Sequence, residues 1–416
     1  MAKRIKKVTK CRICGSKSLL DVIDLGEQPI PNGFLNEEEL LKEEPKYSLS
    51  VVFCDNCSLM QLKYLVDSSI MFQNYLYIPS ASKTRVEYFR KMAEEVLKVG
   101  KIKKDSLIVD VGSNDGSLLV CFKNLGMKIL GIDPAENLVE VAKLNGVNTE
   151  LGYFDSKFAK KMVKKYGHAK AITATNVIAH IQNLHEVIKG GEELLDKDGI
   201  FVMHFPYSLD LLRDNLFDTI YHEHLSYFSI KSLLILAKKS GLEIFDIHKS
   251  DLDGGSLRVF WKKKKNKKIK IRENTINKLL DEEKNFGLHE INAYLEFKTR
   301  VEDLKRIGVA KLKELRRAGK KIVGYGAAAK ANVLLNYFEL DNKTIDYLVD
   351  STPYKQGLYT PGSHIKIYSE EKIYETNPDY ILIFAWNFSK EIMDKNKEYK
   401  KKGGKFIFLE PKLLIV

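Results

Sequence analysis

Four cysteines in two C-x-x-C pairs, Cys11-Arg-Ile-Cys14 and Cys54-Asp-Asn-Cys57, constrain this chain more than any other feature. Each pair offers two thiols from one tight knuckle, and two knuckles are the usual way to give one Zn²⁺ a tetrahedral set. The chain must therefore fold back so that Cys11 and Cys14 meet Cys54 and Cys57. The 39 residues between the pairs exceed a compact zinc finger, so an inserted segment is expected there. Four thiolates leave no open coordination position, which makes the expected ion structural, one per chain, and not catalytic. Disulfides would suit a secreted protein. The basic start Met1–Lys10 has no apolar stretch behind it to act as a secretory signal, so a cytoplasmic location is expected. A thioredoxin-like redox motif would need a C-x-x-C opening a helix after a strand, and neither pair has that context. Cys121, within Leu118-Leu-Val-Cys-Phe122, reads as a small core residue.

At 416 residues the chain exceeds the length at which a single core stops growing, roughly 250–300 residues, so two or three domains are expected. With 44% hydrophobic and 30% charged residues it is not a disordered chain. No apolar run approaches the ~18–20 residues of a membrane span. A formal charge of +13 admits nucleic acid, a membrane surface or a phosphorylated small molecule as partner. Much of that excess is Lys spread over helical faces, with one dense run from Lys262 to Lys270, and a solvated face accounts for it equally well.

The order of elements points to two α/β units behind the cysteine region. A helix is predicted over about Arg85–Lys98, then strands at Leu107–Val111, Lys128–Ile132, Ala171–Thr175, Ile200–Phe205, Leu242–His248 and Ser256–Lys263. Strands separated by helical stretches argue a mostly parallel, doubly wound Rossmann-like sheet, and the last pair, joined by Asp251-Leu-Asp-Gly-Gly255, predicts an antiparallel edge. Lys264–Lys320 is charged and helical. A smaller Rossmann-like unit follows: a strand and turn over Lys321–Lys330, a helix to about Tyr337, and strands at Ile345–Val349, Tyr380–Ala385 and Lys405–Phe408. The expected domains are residues 1–80, 81–265 and 266–416, with no internal repeat.

Leu107-Ile-Val-Asp-Val-Gly-Ser-Asn-Asp-Gly-Ser117 is a buried strand running into a glycine turn and a helix, a nucleotide site in a doubly wound sheet. It is not G-x-G-x-x-G. Asp115 stands where a pyrophosphate would approach, and a carboxylate there suits a ligand that brings a cation and no phosphate, as S-adenosylmethionine (SAM) does. Asp133, in Gly131-Ile-Asp-Pro134, ends the next strand 21 residues after Gly112, where an acid accepts hydrogen bonds from ribose hydroxyls. Asn176 ends the strand Ala171–Thr175 at the same edge. The candidate cofactor residues are Asp110, Gly112, Ser113, Asn114, Asp115, Asp133, Pro134 and Asn176.

The second cluster is Thr219-Ile-Tyr-His-Glu-His-Leu-Ser-Tyr-Phe228. Tyr221, His222, Glu223 and His224 place four polar groups in four residues, and His changes charge near neutral pH. The spacing is not H-E-x-x-H, which excludes the helical zinc pair of metalloproteases. A metal on His222 and His224 of an extended segment, or ordinary surface histidines, are the alternatives. His180, four residues after Asn176, faces the same rim.

Taken together, these motifs resemble the SAM-dependent sugar C-methyltransferases of deoxysugar biosynthesis, which act on nucleotide-activated 4-keto sugars. The resemblance runs along nearly the whole chain: paired C-x-x-C, Tyr75-Leu-Tyr-Ile-Pro-Ser80, D-x-G-S-N-D-G, N-x-x-x-H, Y-H-E-H and G-Y-G-A-A-A-K-A. It implies that Tyr75, His180, Tyr221, Glu223 and His224 line the reacting centre. Leu76 and Ile78 depart from the family's Pro and bulky aromatic or His, which bears on the choice of sugar. It also implies that the C-terminal unit helps bind the nucleotide diphosphate. The residues agree: Gly324-Tyr-Gly-Ala-Ala-Ala-Lys330 sets small residues and a cation at a helix N-terminus, and Asp350-Ser-Thr-Pro-Tyr-Lys355 supplies a second basic loop. The candidate substrate residues are His222, Tyr325, Lys330, Asp350 and Lys355. A structural Rossmann domain is the alternative for this unit.

The expected reaction removes the proton next to the ketone and methylates the resulting carbon. His224 is the expected base, oriented by Glu223 or Tyr221, and Glu223 is the second choice. The expected partner is a nucleotide-diphosphate sugar, with no nucleic acid and no membrane, and the chain is expected to be a monomer or weak homo-oligomer. An RNA methyltransferase also suits zinc, SAM motifs and positive charge, but the chain lacks an N/D-P-P-Y/F tetrapeptide, and aromatics are not interleaved with the basic run. Asp115, Asp133 and Y-H-E-H argue against a non-catalytic zinc scaffold.

Overall fold

A computed structural model describes residues 5–71 and 78–416. The two cysteine knuckles sit at one end of a four-stranded antiparallel sheet ordered Ser226–Tyr227, Met60–Leu62, Tyr47–Cys54, Leu19–Gln28. Its edge strand comes from far along the chain: Ser226 pairs with Gln61 and Tyr227 with Met60. The end of the Y-H-E-H segment is thus a strand of the cysteine-bearing sheet.

The helix Lys83–Gly100 opens on Ser82, whose side chain accepts from the Arg85 amide, and closes on Lys101 in the left-handed region. Its buried stripe, Phe89, Met92, Ala93 and Val96, keeps helical spacing and packs on the central sheet. That sheet has seven strands in the order Leu242–Ser250, Ser256–Lys263, Leu195–Pro206, Ala169–Thr175, Leu107–Val111, Lys128–Asp133, Thr149–Leu151. The doubly wound expectation holds, with one change at the end of the sheet. Ser256–Lys263 runs antiparallel to both neighbours and lies one place in from the edge, because the hairpin turns back into the gap beside Leu195–Pro206. Phe260 and Trp261, on opposite faces of that strand, are both fully buried. The short strand Thr149–Leu151 carries too little pattern to be read from sequence.

A 27-residue helix, Ile291–Arg317, leads to a six-stranded sheet ordered Ile367–Tyr368, Leu348–Val349, Ile322–Tyr325, Tyr380–Ile383, Lys405–Phe408, Leu414–Ile415. Its first five strands are parallel and the last is antiparallel. The strand expected at Ile345–Val349 shortens to Leu348–Val349, and that at Tyr380–Ala385 to Tyr380–Ile383. One hydrophobic cluster runs from Cys11 and Phe53 through Phe205 and Phe297 to Leu409, so the three sheets share a continuous core. Among the described residues no helix is long and apolar enough to cross a membrane.

Candidate active site

The strand Leu107–Val111 ends in a turn that its sequence makes obligatory. Gly112 has φ +67°, and a Cβ on it would lie 2.3 Å from Val177 Cγ2, so only glycine lets the loop close against the next strand. The turn brings Asn114 to Asp133: the Asn114 amide donates to Asp133 Oδ2 and the Ala135 amide to Oδ1, both at 2.9 Å. Burial pushes the Asp133 carboxyl above its ordinary range, opposed by those two amides. Asp110 accepts from Thr173 Oγ1 at 2.6 Å; burial pushes it up to about 7, with the Thr173 hydroxyl pulling the other way.

Asp115 is fully buried, and its oxygens are committed within the protein. Oδ1 accepts from the Ser117 amide and hydroxyl, and Oδ2 accepts from the Ser80 amide. The carboxylate read as facing a cationic ligand thus lines the cavity and also holds the start of the next helix and the segment at Ser80. Asn176, in the left-handed region at φ 56°, donates from Nδ2 to Asp253 Oδ2 at 3.0 Å. Asp253 also meets Arg85 Nη2 at 2.8 Å and Nη1 at 3.2 Å. Burial alone would raise the Asp253 carboxyl, but Arg85, Lys330 and Asn176 hold it below the ordinary range.

These groups line a cavity of about 540 Å³ that lies between the carboxyl edge of the central sheet, the cysteine-bearing sheet and the C-terminal sheet. All eight candidate cofactor residues line it, as do His180, Tyr221, His224, Lys330 and Lys355. Residues 221–224 form a turn closed by the His224 amide donating to the Tyr221 carbonyl at 2.9 Å. A turn brings its first and fourth residues together, and the Tyr221 and His224 rings stand 3.9 Å apart. The His180 ring meets His224 edge-on at 4.9 Å. His224 Nδ1 lies 2.8 Å from the Thr219 carbonyl, which can only accept, so Nδ1 carries the proton and Nε2 the lone pair. Thr219, and neither Glu223 nor Tyr221, supplies the hydrogen bond that sets this tautomer. Burial, the His180 ring and the Lys330 charge all push the His224 pKa well below 6.5. His180 is pushed down to about 4 by burial.

The same turn sends its second residue away. His222 is buried against the cysteine-bearing sheet, donating from Nε2 to the Tyr47 carbonyl at 3.0 Å, and does not line the cavity. The residue expected to contact substrate thus stands off the cavity wall, because the second position of the turn points away from the first and fourth. Glu223 is also off the cavity wall; its Oε1 accepts from Asn32 Nδ2 at 2.6 Å. Tyr325 and Asp350 likewise sit behind the wall. The Tyr325 hydroxyl donates to Glu370, and Asp350 accepts from the Ala327 and Thr352 amides, holding the turn before the helix Ala329–Tyr337. Tyr75 lies outside the described residues.

Lys330 is the cation that this helix delivers. Its Nζ is buried, has no hydrogen-bond partner among the described residues, and lies 4.2 Å over the Trp386 ring. Trp386 Nε1 donates to Asp218 Oδ2 at 2.6 Å. Glu410, beside Asp218, has a carboxyl raised well above its ordinary value by burial and by that neighbour. Asn32, Arg85, Asp253 and Asn387 also line the cavity, and Trp386 backs it. None of them stands in a motif: Asp253 reads as part of a hairpin turn, Asn32 as the middle of Pro31-Asn-Gly33.

In the cysteine knuckles, Cys11 Sγ is 3.4 Å from Cys57 Sγ, Cys14 Sγ is 3.5 Å from Cys54 Sγ, and all four lie within 4.8 Å of one another. Sulfurs about 2.3 Å from a zinc ion stand roughly 3.8 Å apart in a tetrahedron, so the set fits. No disulfide joins them. Among the described residues no other His, Cys, Asp and Glu cluster approaches this geometry, His222 and His224 included.

Known proteins align along the chain in the same three parts. A zinc binding domain family matches residues 11–72, a methyltransferase domain family residues 85–247, and the C-methyltransferase C-terminal domain family residues 251–411. The C-methyltransferase NovU of Streptomyces niveus is 35% identical over 416 residues, covering 99% of this chain and 98% of that protein. A ubiquinone biosynthesis O-methyltransferase of Pelagibacter ubique is 26% identical over 122 residues, 28% of this chain and 50% of that one. Among solved structures, the SAM-bound magnesium protoporphyrin IX methyltransferase of Synechocystis covers 46% of this chain and 86% of its own at 13% identity and a TM-score of 0.33. With NovU matched from end to end and all three domain families in order, the chain belongs to the SAM-dependent C-methyltransferases.

Proposed function

We propose that this enzyme deprotonates a nucleotide-activated keto-deoxysugar and methylates the carbanion carbon. The observation that carries the reading is His224: a neutral imidazole, its Nδ1–H held by Thr219, on the same cavity wall as Tyr221, His180 and the Lys330 cation, which has no hydrogen-bond partner among the described residues. Methylation of carbon differs from methylation of oxygen or nitrogen because no lone pair is available; a base must first take a proton.

The glycine turn and the raised, buried Asp133 fit SAM. Gly112 lets the loop close against Val177 and so shapes the cavity edge, and Asp133, with each oxygen accepting one amide, keeps lone pairs for ribose hydroxyls. Asn176 and Pro134 would flank the ligand, and Asp110 and Asp115 would hold the turn from behind. When bound, SAM supplies an electrophilic methyl group. NovU is named a C-methyltransferase, which favours carbon as the acceptor.

The chain's own residues divide the remaining work. His224 Nε2 takes the proton next to the ketone. Tyr221 and His180 lie against that imidazole and would hold the sugar or donate to the developing oxyanion. Lys330 and Lys355 would meet the diphosphate, with the N-terminus of the helix Ala329–Tyr337 adding its partial positive charge. This placement also tunes the base: Lys330 contributes to depressing His224, and an anion bound against Lys330 cancels that effect. Substrate binding thus makes His224 a stronger base than it is in the free enzyme. The four thiolates would hold one structural zinc, and residues 1–80, 81–265 and 266–416 would serve as the zinc, donor and sugar-nucleotide parts.

The test is proton exchange without methylation. Incubated in deuterated water with the demethylated cofactor product, the enzyme should exchange the proton next to the ketone of a nucleotide-activated 4-keto sugar. His224→Ala should abolish both exchange and methyl transfer while SAM affinity stays within about threefold. Full exchange in the variant would move the base to another residue, and an O-methylated product would overturn the mechanism.

A further inference from the structure

We propose that Asn32, carried by the cysteine-bearing region, contacts the sugar in the active site, with Glu223 as the residue that positions it. This rests on the sugar methylation reading above and adds a specificity-determining residue to it.

Asn32 lines the cavity together with His224 and Tyr221, although it lies almost two hundred residues before them in the sequence. Three contacts clamp the segment that carries it onto the C-terminal unit. Asn332 Nδ2, on the helix Ala329–Tyr337, donates to the Pro31 carbonyl at 2.6 Å. Leu35 and Tyr359 exchange backbone hydrogen bonds at 3.0 and 2.8 Å. Lys355 Nζ lies 5.4 Å over the Phe34 ring. A segment held at Pro31, Phe34 and Leu35 leaves Asn32 little freedom.

Its side chain is fixed as well. Asn32 Nδ2 donates to Glu223 Oε1 at 2.6 Å, and Glu223 is fully buried. With the amino end of the amide turned to an acceptor, the carbonyl end, Oδ1, must point elsewhere. Among the described residues no donor meets Oδ1. An amide whose amino end is anchored and whose carbonyl end is free is an acceptor waiting for a hydroxyl, and sugars are dense in hydroxyls. Glu223 is hidden behind the wall, so its part in the reaction passes through Asn32. The cysteine-bearing region is then more than a scaffold, since it supplies one wall of the sugar site.

The experiment uses the full-length enzyme with TDP-4-keto-6-deoxyglucose, its mono-deoxy counterparts, and SAM. Asn32→Ala should lower kcat/KM for the parent sugar about 10- to 100-fold, while SAM affinity and zinc content stay as in the unmodified enzyme. Against the counterpart lacking the contacted hydroxyl, the two enzymes should differ by less than twofold. Asn32→Asp, which sets a second carboxylate against Glu223, should lose at least as much as the alanine variant. If the unmodified enzyme methylates the parent sugar and Asn32→Ala does so within twofold, the inference falls and the parent reading stands. If the Asn32→Ala deficit is the same on every mono-deoxy sugar, Asn32 does not touch the substrate and the inference falls. An unmodified enzyme inert on sugar nucleotides removes the parent reading and this one with it.

Discussion

His222 provides a quantitative test of how this fold responds to acid. Burial pushes its pKa down to about 4, from an ordinary 6.5, with the hydrogen bond to the Tyr47 carbonyl opposing the shift. The folded value lies below the unfolded one, so the unfolded chain takes up the proton first. The stability held by neutral His222 is intact above pH 6.5 and is lost as pH falls from 6.5 toward 4. The whole gap is worth roughly 3 kcal/mol, of which about 2 kcal/mol is lost between pH 7 and pH 5. Other buried groups titrate in the same window, and Asp110 moves in the opposite sense, so the measurement must be a difference. His222→Gln places an amide nitrogen where Nε2 stands, keeps the donor to Tyr47, and removes the titration. At pH 7 the variant should be less stable by about 1–2 kcal/mol through lost packing. At pH 5 the deficit should shrink by about 2 kcal/mol, leaving it level with the unmodified protein or above it. Urea unfolding followed by far-UV circular dichroism at both pH values gives the two differences. A deficit that stays constant within about 0.5 kcal/mol would refute the claim that burial controls this imidazole.

Asp110→Asn should show the reverse pH dependence. Its folded carboxyl, pushed up to about 7 by burial against an ordinary 3.8, contributes stability at low pH that is lost as pH rises through 7, so the asparagine variant should gain about 2.5 kcal/mol relative to the unmodified protein between pH 5 and pH 8 in the same assay. Protein purified without added metal should contain about one zinc per chain by elemental analysis, and Cys54→Ser should collapse the thermal midpoint. Four thiols found oxidised to disulfides, with no zinc, would refute that assignment.

The turn at the end of the strand Leu107–Val111 was legible because it is local. The run Leu107–Ser117 encodes strand, turn and helix within eleven residues, and the turn demands glycine on steric grounds that act over a few ångströms. Cys11, Cys14, Cys54 and Cys57 were legible for a related reason: thiolate chemistry specifies that distant knuckles must meet, whatever lies between them.

What sequence alone left open is direction and partnership. Y-H-E-H named four polar residues, but only the closed turn decides that Tyr221 and His224 face the cavity while His222 enters the cysteine-bearing sheet. Glu223, expected to orient His224, accepts from Asn32, and a backbone carbonyl at Thr219 sets the His224 tautomer. Asp115 had the right charge for a cationic ligand, and only the fold shows that it also ties Ser80 and Ser117 to the cavity wall. Arg85, Asp253 and Asn32 come from three separate stretches, each of which reads as an unremarkable helix or turn. Local patterns report what a backbone must do over a few residues. Which side chains share a cavity depends on how three sheets close on one another, and that is settled by the packing of a continuous core, so these assignments existed only in the folded molecule.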